Sequence, residues 1–348
     1  MSTPTYDWAV RNAHIKSDFV REAIAEFLGT LLLLFFVVGS GLGALIHPDS
    51  HAVGVFGVVF GLMVCVLIFG GVSGAHINPA VSIGLAVAGH LKWAKVPLYI
   101  LVQLLGGYLG SLLAYLLYED HIENYVKGLA PEWTGSIPEY DLNTGGKIMA
   151  SFSPAGAGTS LGIGVLTEII LTGILLMAVM SVIDKGNMKV PPHLVAFLLA
   201  LTVAALAMSH SVVTGTMLNP ARDFTPRLAA KTLGWDNKLC FQNINFQGKR
   251  QEWWLVGVIA PPLGAILGVL IYNFLVGAQL TNNRDELEPN NNVGGGKGEN
   301  GDWRNNTMFI PRTGAQPPVH QPPNYNQGQI NGHYNPGFAP GDVRQQRY

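Results

Sequence analysis

The sequence predicts an all-α membrane protein with six transmembrane helices plus two re-entrant half-helices, arranged as inverted three-helix repeats. Three observations carry that class. Charged residues make up 12% of the 348-residue chain, about half the ~25% of a soluble globular protein. Apolar stretches able to cross a ~30 Å hydrocarbon core recur along it, and a pair of short motifs returns at a near-constant offset. A net charge of −1 excludes a nucleic-acid partner, which would need a clustered basic excess. With only Cys65 and Cys240, no disulfide framework holds the fold.

The expected spans are Ala23–Ile46, Val53–Val72, Val96–Tyr118, Leu161–Ile183, Leu194–Val213 and Trp254–Val276. Residues 1–20 form a polar N-terminal tail without a signal-peptide apolar core, so the first span serves as an uncleaved insertion signal. His90, Lys92, Lys95, Lys185 and Lys189 lie in loops on the side of Arg11, Lys16 and Arg21, whereas the 46–52 loop has no Lys or Arg and the 119–160 loop is acidic. By the positive-inside rule both termini are cytoplasmic. Residues 280–348 are rich in Asn, Gly and Pro and are expected to be disordered. Asn305 begins a glycosylation acceptor there that a cytoplasmic tail would not present to the enzyme.

The repeat says more than the hydropathy. Glu26-Phe-Leu-Gly-Thr30 matches Glu168-Ile-Ile-Leu-Thr172, and Ser73-Gly-Ala-His-Ile-Asn-Pro-Ala-Val81 matches Thr214-Gly-Thr-Met-Leu-Asn-Pro-Ala-Arg222. Gly106-xxx-Gly110 and Gly264-xxx-Gly268 also correspond. The halves, about 21–118 and 161–278 within a 21–279 channel domain, each hold three spans. Three is odd, so the second half enters the membrane from the opposite side.

Asn is a preferred N-cap and Pro suits the first helical position, so Asn78-Pro79-Ala80 and Asn219-Pro220-Ala221 read as helix starts. The short apolar run after Pro79 spans roughly 15 Å at 1.5 Å per residue, half a bilayer. Inverted symmetry then makes two half-helices meet N-terminus to N-terminus near the midplane, with non-helical backbone lining a protein-walled path. Glu26 and Glu168 are intramembrane acids. They read either as a proton relay or as braces for loop N–H groups, and the lack of a chain of ionisable partners favours bracing.

These duplicated boxes, each preceded in its half by a membrane-embedded Glu, resemble the major intrinsic protein (aquaporin) family over roughly residues 20–278. Asp223 after Arg222, with Arg227 four residues on, resembles its aquaglyceroporin branch. The resemblance implies a homotetramer with a pore in every subunit, conducting glycerol and water passively, and also urea and other small neutral solutes, with no enzyme activity, cofactor or metal. It places the selectivity filter, counted without gaps from the boxes, on Val58, Ala207, Thr216 and Arg222. Glycerol channels often carry aromatic rings at the positions of Val58 and Thr216, and a small shift of the second span would bring Phe56 or Phe60 inward instead. Gly257-Val258 stands where that branch usually has Pro-Leu, and Thr216 where a mercury-sensitive cysteine often lies. His76 and His210 read as packed histidines or as pH sensors.

The residues agree with such a function. Opposed helix N-termini orient solute oxygens and repel cations, and Arg222 adds a full charge. Asp223 and Arg227 have the favourable i,i+4 order, worth roughly 0.2–0.5 kcal/mol on an exposed helix. The rival readings are a water-selective channel, a secondary transporter with similarly broken helices, and a scaffold using the same fold. Pro322-Pro323-Asn324-Tyr325 resembles a polyproline ligand for a WW domain. The membrane in question is expected to be the plasma membrane.

Overall fold

The computed structural model describes residues 3–46, 51–129, 145–153, 158–244 and 249–280. In chain order the helices are α1 (Pro4–Asn12), α2 (Asp18–Ile46), α3 (His51–Ser73), α4 (Pro79–Val87), α5 (Val96–Leu129), α6 (Gly145–Phe152), α7 (Leu161–Ile183), α8 (Pro192–Thr214), α9 (Pro220–Thr232), α10 (Asn237–Phe241) and α11 (Trp254–Ile271). A two-residue antiparallel hairpin, β1 (Asn243–Ile244) with β2 (Arg250–Gln251), precedes α11, which runs on through a π turn at Tyr272–Val276.

Six helices among the described residues are long and apolar enough to cross a membrane, namely α2, α3, α5, α7, α8 and α11 with its extension. Two outrun the hydropathy. α2 starts at Asp18 because its polar first turns find partners, with buried Glu22 accepting from Lys95 Nζ at 2.5 Å and from the Tyr99 hydroxyl at 2.9 Å. α5 continues past Tyr118 to Leu129 on a polar turn bearing a Lys127–Glu123 pair.

Each half packs its first span against its third, α2 on α5 and α7 on α11. Glycine makes the approach feasible. A Cβ at Gly106 or Gly110 would run into the α2 backbone at Phe27 and Leu31, and one at Gly264 or Gly268 into the α7 backbone at Ile169 and Gly173. The short helices α4 and α9 cross over, α4 packing on α11 and α9 on α5, so each half completes the other. Two apolar clusters result, one centred on Leu34, Val38 and Leu42, the other on Leu85, Leu171 and Leu176.

Residues 21–118 take in most of α2, all of α3 and α4 and the greater part of α5, and residues 161–278 run from the start of α7 past the end of α11. The N-terminal tail contains α1 and the start of α2. Asn305 and the Pro322-Pro323-Asn324-Tyr325 string lie outside the described residues.

Candidate functional site

The half-helices start where Asn-Pro places them. The Asn78 Oδ1 accepts from the Ala80 N–H at 2.8 Å, and the Asn219 Oδ1 accepts from Ala221 at 2.9 Å and Arg222 at 3.3 Å. Pro79 and Pro220 open α4 and α9 where a missing N–H costs nothing. The carboxamides also tie the halves together. The Asn78 Nδ2 donates to the Leu218 carbonyl at 3.0 Å and the Asn219 Nδ2 to the Ile77 carbonyl at 2.9 Å. One hydrogen on each amide is thereby used, and no partner for the other occurs among the described residues.

The loops leading into these starts are strained in the same way. Positive φ occurs at Gly74 (87°), Ala75 (47°) and Ile77 (42°), and at Gly215 (76°), Thr216 (55°) and Leu218 (55°). Left-handed backbone at a non-glycine residue costs of order 1–3 kcal/mol and persists only where the surroundings over-determine it. The two acids supply that. Glu26 Oε1 accepts from the Ser73 hydroxyl at 2.6 Å and the His76 N–H at 2.9 Å, and its Oε2 from the Ile77 N–H and Gln103 Nε2, both at 2.7 Å. Glu168 accepts from Thr214 Oγ1 at 2.5 Å and from the N–H groups of Met217 at 2.9 Å and Leu218 at 2.8 Å.

Among the described residues only donors converge on each fully buried carboxylate, two of them successive backbone N–H groups of the adjoining loop. With its N–H groups turned to the acids, each loop leaves carbonyls behind. Among the described residues no donor reaches the carbonyls of Gly74, Ala75, His76, Thr216 or Met217.

Those loops help to line a cavity inside the protein. Gly74–Asn78 and Thr216–Asn219 line it together with Leu33, Val37, Val58, Leu62, Val66, Leu175, Val179, Leu199 and Val203. His76 supplies the one ring in the wall. The lining is mostly apolar, with the polar side chains of His76, Asn78, Thr216, Asn219 and Arg222 set in it.

Of the four counted filter positions, Val58, Thr216 and Arg222 line this cavity. Ala207 is not among its walls and stands one turn beyond Val203 on α8, half-buried. Neither Phe56 nor Phe60 turns inward. Both are exposed on the outer face of α3, their rings stacked with centroids 5.7 Å apart. Thr216 Oγ1 and Arg222 NH1 are buried without a hydrogen-bond partner, and both residues line the cavity.

Asp223 and Arg227 form the i,i+4 pair that their spacing predicts, and the pair is buried. They are 0% and 1% exposed and bonded twice, Arg227 Nε to Oδ2 at 3.1 Å and NH2 to Oδ1 at 2.9 Å, with NH1 on the Cys240 carbonyl. Gly257 makes room, since a Cβ there would collide with the Asp223 carboxylate. His76 Nδ1 lies 3.2 Å from Ser82 Oγ with its ring edge-on to Tyr99, whereas His210 is exposed and away from the cavity. Ser73 and Thr214 escaped the sequence reading as braces, although both open the repeated motif with a hydroxyl. Gln103, Ser82 and Ser153 carried no sequence signal.

Residues 13–272 match the family described as major intrinsic protein. The chain belongs to that family. This major intrinsic protein is 34% identical to human aquaporin-10 over 271 residues, covering 75% of the present chain and 83% of the relative. It is 36% identical over 263 residues to the "Probable glycerol uptake facilitator protein" of Thermotoga maritima, covering 72% and 98%. With the propanediol uptake facilitator PduF of Citrobacter freundii it shares 33% over 272 residues, covering 77% and 97%. The crystal structure of the aquaglyceroporin from Plasmodium falciparum superimposes with a TM-score of 0.61 at 28% identity, covering 75% of this chain and 98% of that one.

Proposed function

We propose that the chain is a passive membrane channel for glycerol and water that also admits urea and other small neutral solutes. The observation that carries this reading is a largely apolar cavity with unpartnered polar groups at Thr216 and Arg222. A polyol has a hydroxyl edge and a hydrocarbon edge. Its CH groups slide along Leu33, Val37, Val58, Leu199 and Val203 while its hydroxyls donate to the loop carbonyls and accept from Asn78, Asn219 and Arg222.

Each site exchanges one hydrogen bond for another, so a solute enters without a deep well and leaves again. Cations meet two positive helix ends and a guanidinium in a poorly solvated passage. The names of the relatives, which include facilitators for glycerol and propanediol uptake, support the same solute class.

Val58, Thr216 and Arg222 are the filter in this proposal, with Ala207 leaving space just beyond it. A water-selective pore would need a narrower, ring-bounded constriction. The active unit is a homotetramer in the plasma membrane with both termini cytoplasmic, and the Pro322–Tyr325 string recruits a WW-domain protein. The tetramer rests on family membership, the orientation of the termini on loop charge, and the WW-domain partner on the Pro-Pro-x-Tyr pattern.

Stopped-flow light scattering on proteoliposomes in glycerol, urea and sorbitol gradients tests the solute class. Glycerol and urea should equilibrate faster than in protein-free vesicles, and sorbitol should not. Water flux without glycerol flux would overturn the reading in favour of a water channel.

A further inference from the structure

Arg222 is held in an unusual way. It lines the cavity in the first turn of α9, half-buried with its NH1 covered, yet among the described residues its side chain donates no hydrogen bond. Its backbone N–H goes to Asn219 Oδ1. The guanidinium therefore takes its position from the backbone of α9, and whatever fixes that turn fixes the cation.

The next residue, Asp223, is where the turn is fixed. Ser153, fully buried at the end of α6, sets its hydroxyl 2.7 Å from Asp223 Oδ1 and 2.9 Å from the Asp223 carbonyl. The contact spans 70 positions in sequence. It is the side-chain link by which the 119–160 connection grips the first turn of α9 among the described residues. α6 is in turn seated on α2, where Gly41 without a Cβ lets the Ser151 carbonyl approach. Arg227 and the space at Gly257 hold the other sides of the same carboxylate.

We propose that Ser153 is a positioning residue for the solute filter, acting through Asp223 to set where the Arg222 guanidinium stands in the passage. This rests on the channel reading above. Without the hydroxyl, Asp223 keeps its pair with Arg227, but α9's first turn loses its tie to α6. Arg222 then spreads over more positions across the passage. A three-carbon polyol has less clearance than water, so glycerol flux falls more than water flux. The charge stays in place, so cations remain excluded.

The test is a Ser153→Ala, Ser153→Cys and Ser153→Thr series in proteoliposomes at matched channel content, read as the glycerol-to-water permeability ratio and as cation leak. The expected result is a ratio about threefold lower in Ser153→Ala and intermediate in Ser153→Cys, whose thiol is a weak donor. Ser153→Thr should restore it, with no added leak in any variant. If Ser153→Ala does not assemble, Ser153→Cys against Ser153→Thr decides on the same criterion. An unchanged ratio, or equal change in the Cys and Thr variants, overturns the proposal, since a packing role would not follow donor strength. Wild-type glycerol flux no faster than that of empty vesicles would instead refute the channel reading, independently of Ser153.

Discussion

Replacing Glu26 by Gln changes one atom and should be felt at the midplane. Four donors fill the carboxylate: Ser73 Oγ and the His76 N–H on Oε1, the Ile77 N–H and Gln103 Nε2 on Oε2. If the new amide nitrogen takes the Oε1 place, Ser73 can rotate and accept, but the His76 N–H is left facing a donor. If it takes the Oε2 place, Gln103 can turn its unpartnered Oε1 inward, but the Ile77 N–H is orphaned. Either orientation strands one buried backbone N–H, at a cost of about 1–3 kcal/mol. The orphan sits at or beside Ala75 and Ile77, whose positive φ already stores about 1–3 kcal/mol each. The loop thus loses its restraint where it has most to gain by relaxing. A loss of about 2 kcal/mol shifts the ordered-to-relaxed ratio some 30-fold. Glu26→Gln should therefore assemble but lose most of its water and glycerol flux per channel in stopped-flow assays, with a lower thermal midpoint in detergent. Glu26→Ala strands all four donors and should not accumulate. Wild-type permeabilities and an unchanged midpoint in Glu26→Gln would refute the bracing argument.

Three further outcomes follow from the cavity. Thr216→Phe puts a ring opposite Val58 and removes an unpartnered hydroxyl; a lost hydrogen bond costs roughly 0.5–1.5 kcal/mol, so the glycerol-to-water ratio should drop several-fold on the same vesicles, and an unchanged ratio removes Thr216 from the filter. Arg222→Val should keep neutral-solute flux while admitting proton or cation current, and electrical recording without added leak would show that the arginine is not a required ion barrier. Cys65 and Cys240 are both buried, and burial pushes the Cys240 thiol up to about 11. The thiolate thus stays scarce until the pH approaches that value. Methanethiosulfonate reagents at pH 7 should leave wild-type flux intact and block Thr216→Cys, and inhibition of the wild type would contradict the burial of both thiols.

Legibility in the sequence followed the range of the forces involved. Spans and half-helix starts depend on hydropathy over some twenty residues and on a cap two atoms away, so Asn78-Pro79 and Asn219-Pro220 could be read directly. The inverted duplication turned one ambiguous motif into two constrained ones. The facing of α3 could not be read, because helix rotation is set by packing against α2 and α8; Val58, Phe56 and Phe60 lie within one turn or so, and hydropathy treats them alike. The same holds for Asp223 and Arg227. Their i,i+4 spacing predicts the pair but not its burial, which comes with Ser153, the Cys240 carbonyl and the gap at Gly257.

The left-handed loop residues were hidden for a deeper reason. Ala75, Ile77, Thr216 and Leu218 are residue types that avoid positive φ, so local propensity argues against the conformation they adopt. The N–H groups of Ile77 and Leu218 go to a carboxylate that enters from another helix, Glu26 from α2 and Glu168 from α7, and those of Ala75 and Thr216 to the Ser73 and Thr214 hydroxyls that the same acids hold. This division of labour accounts for placing an expensive acid inside each half. Glycine at all these positions would reach the same φ without strain, but it would leave the loop free to adopt others, and the carbonyls would lose their fixed direction. A strained loop pinned at two successive N–H groups has one available geometry, and a passage that must exchange hydrogen bonds with a moving solute needs its acceptors already in place.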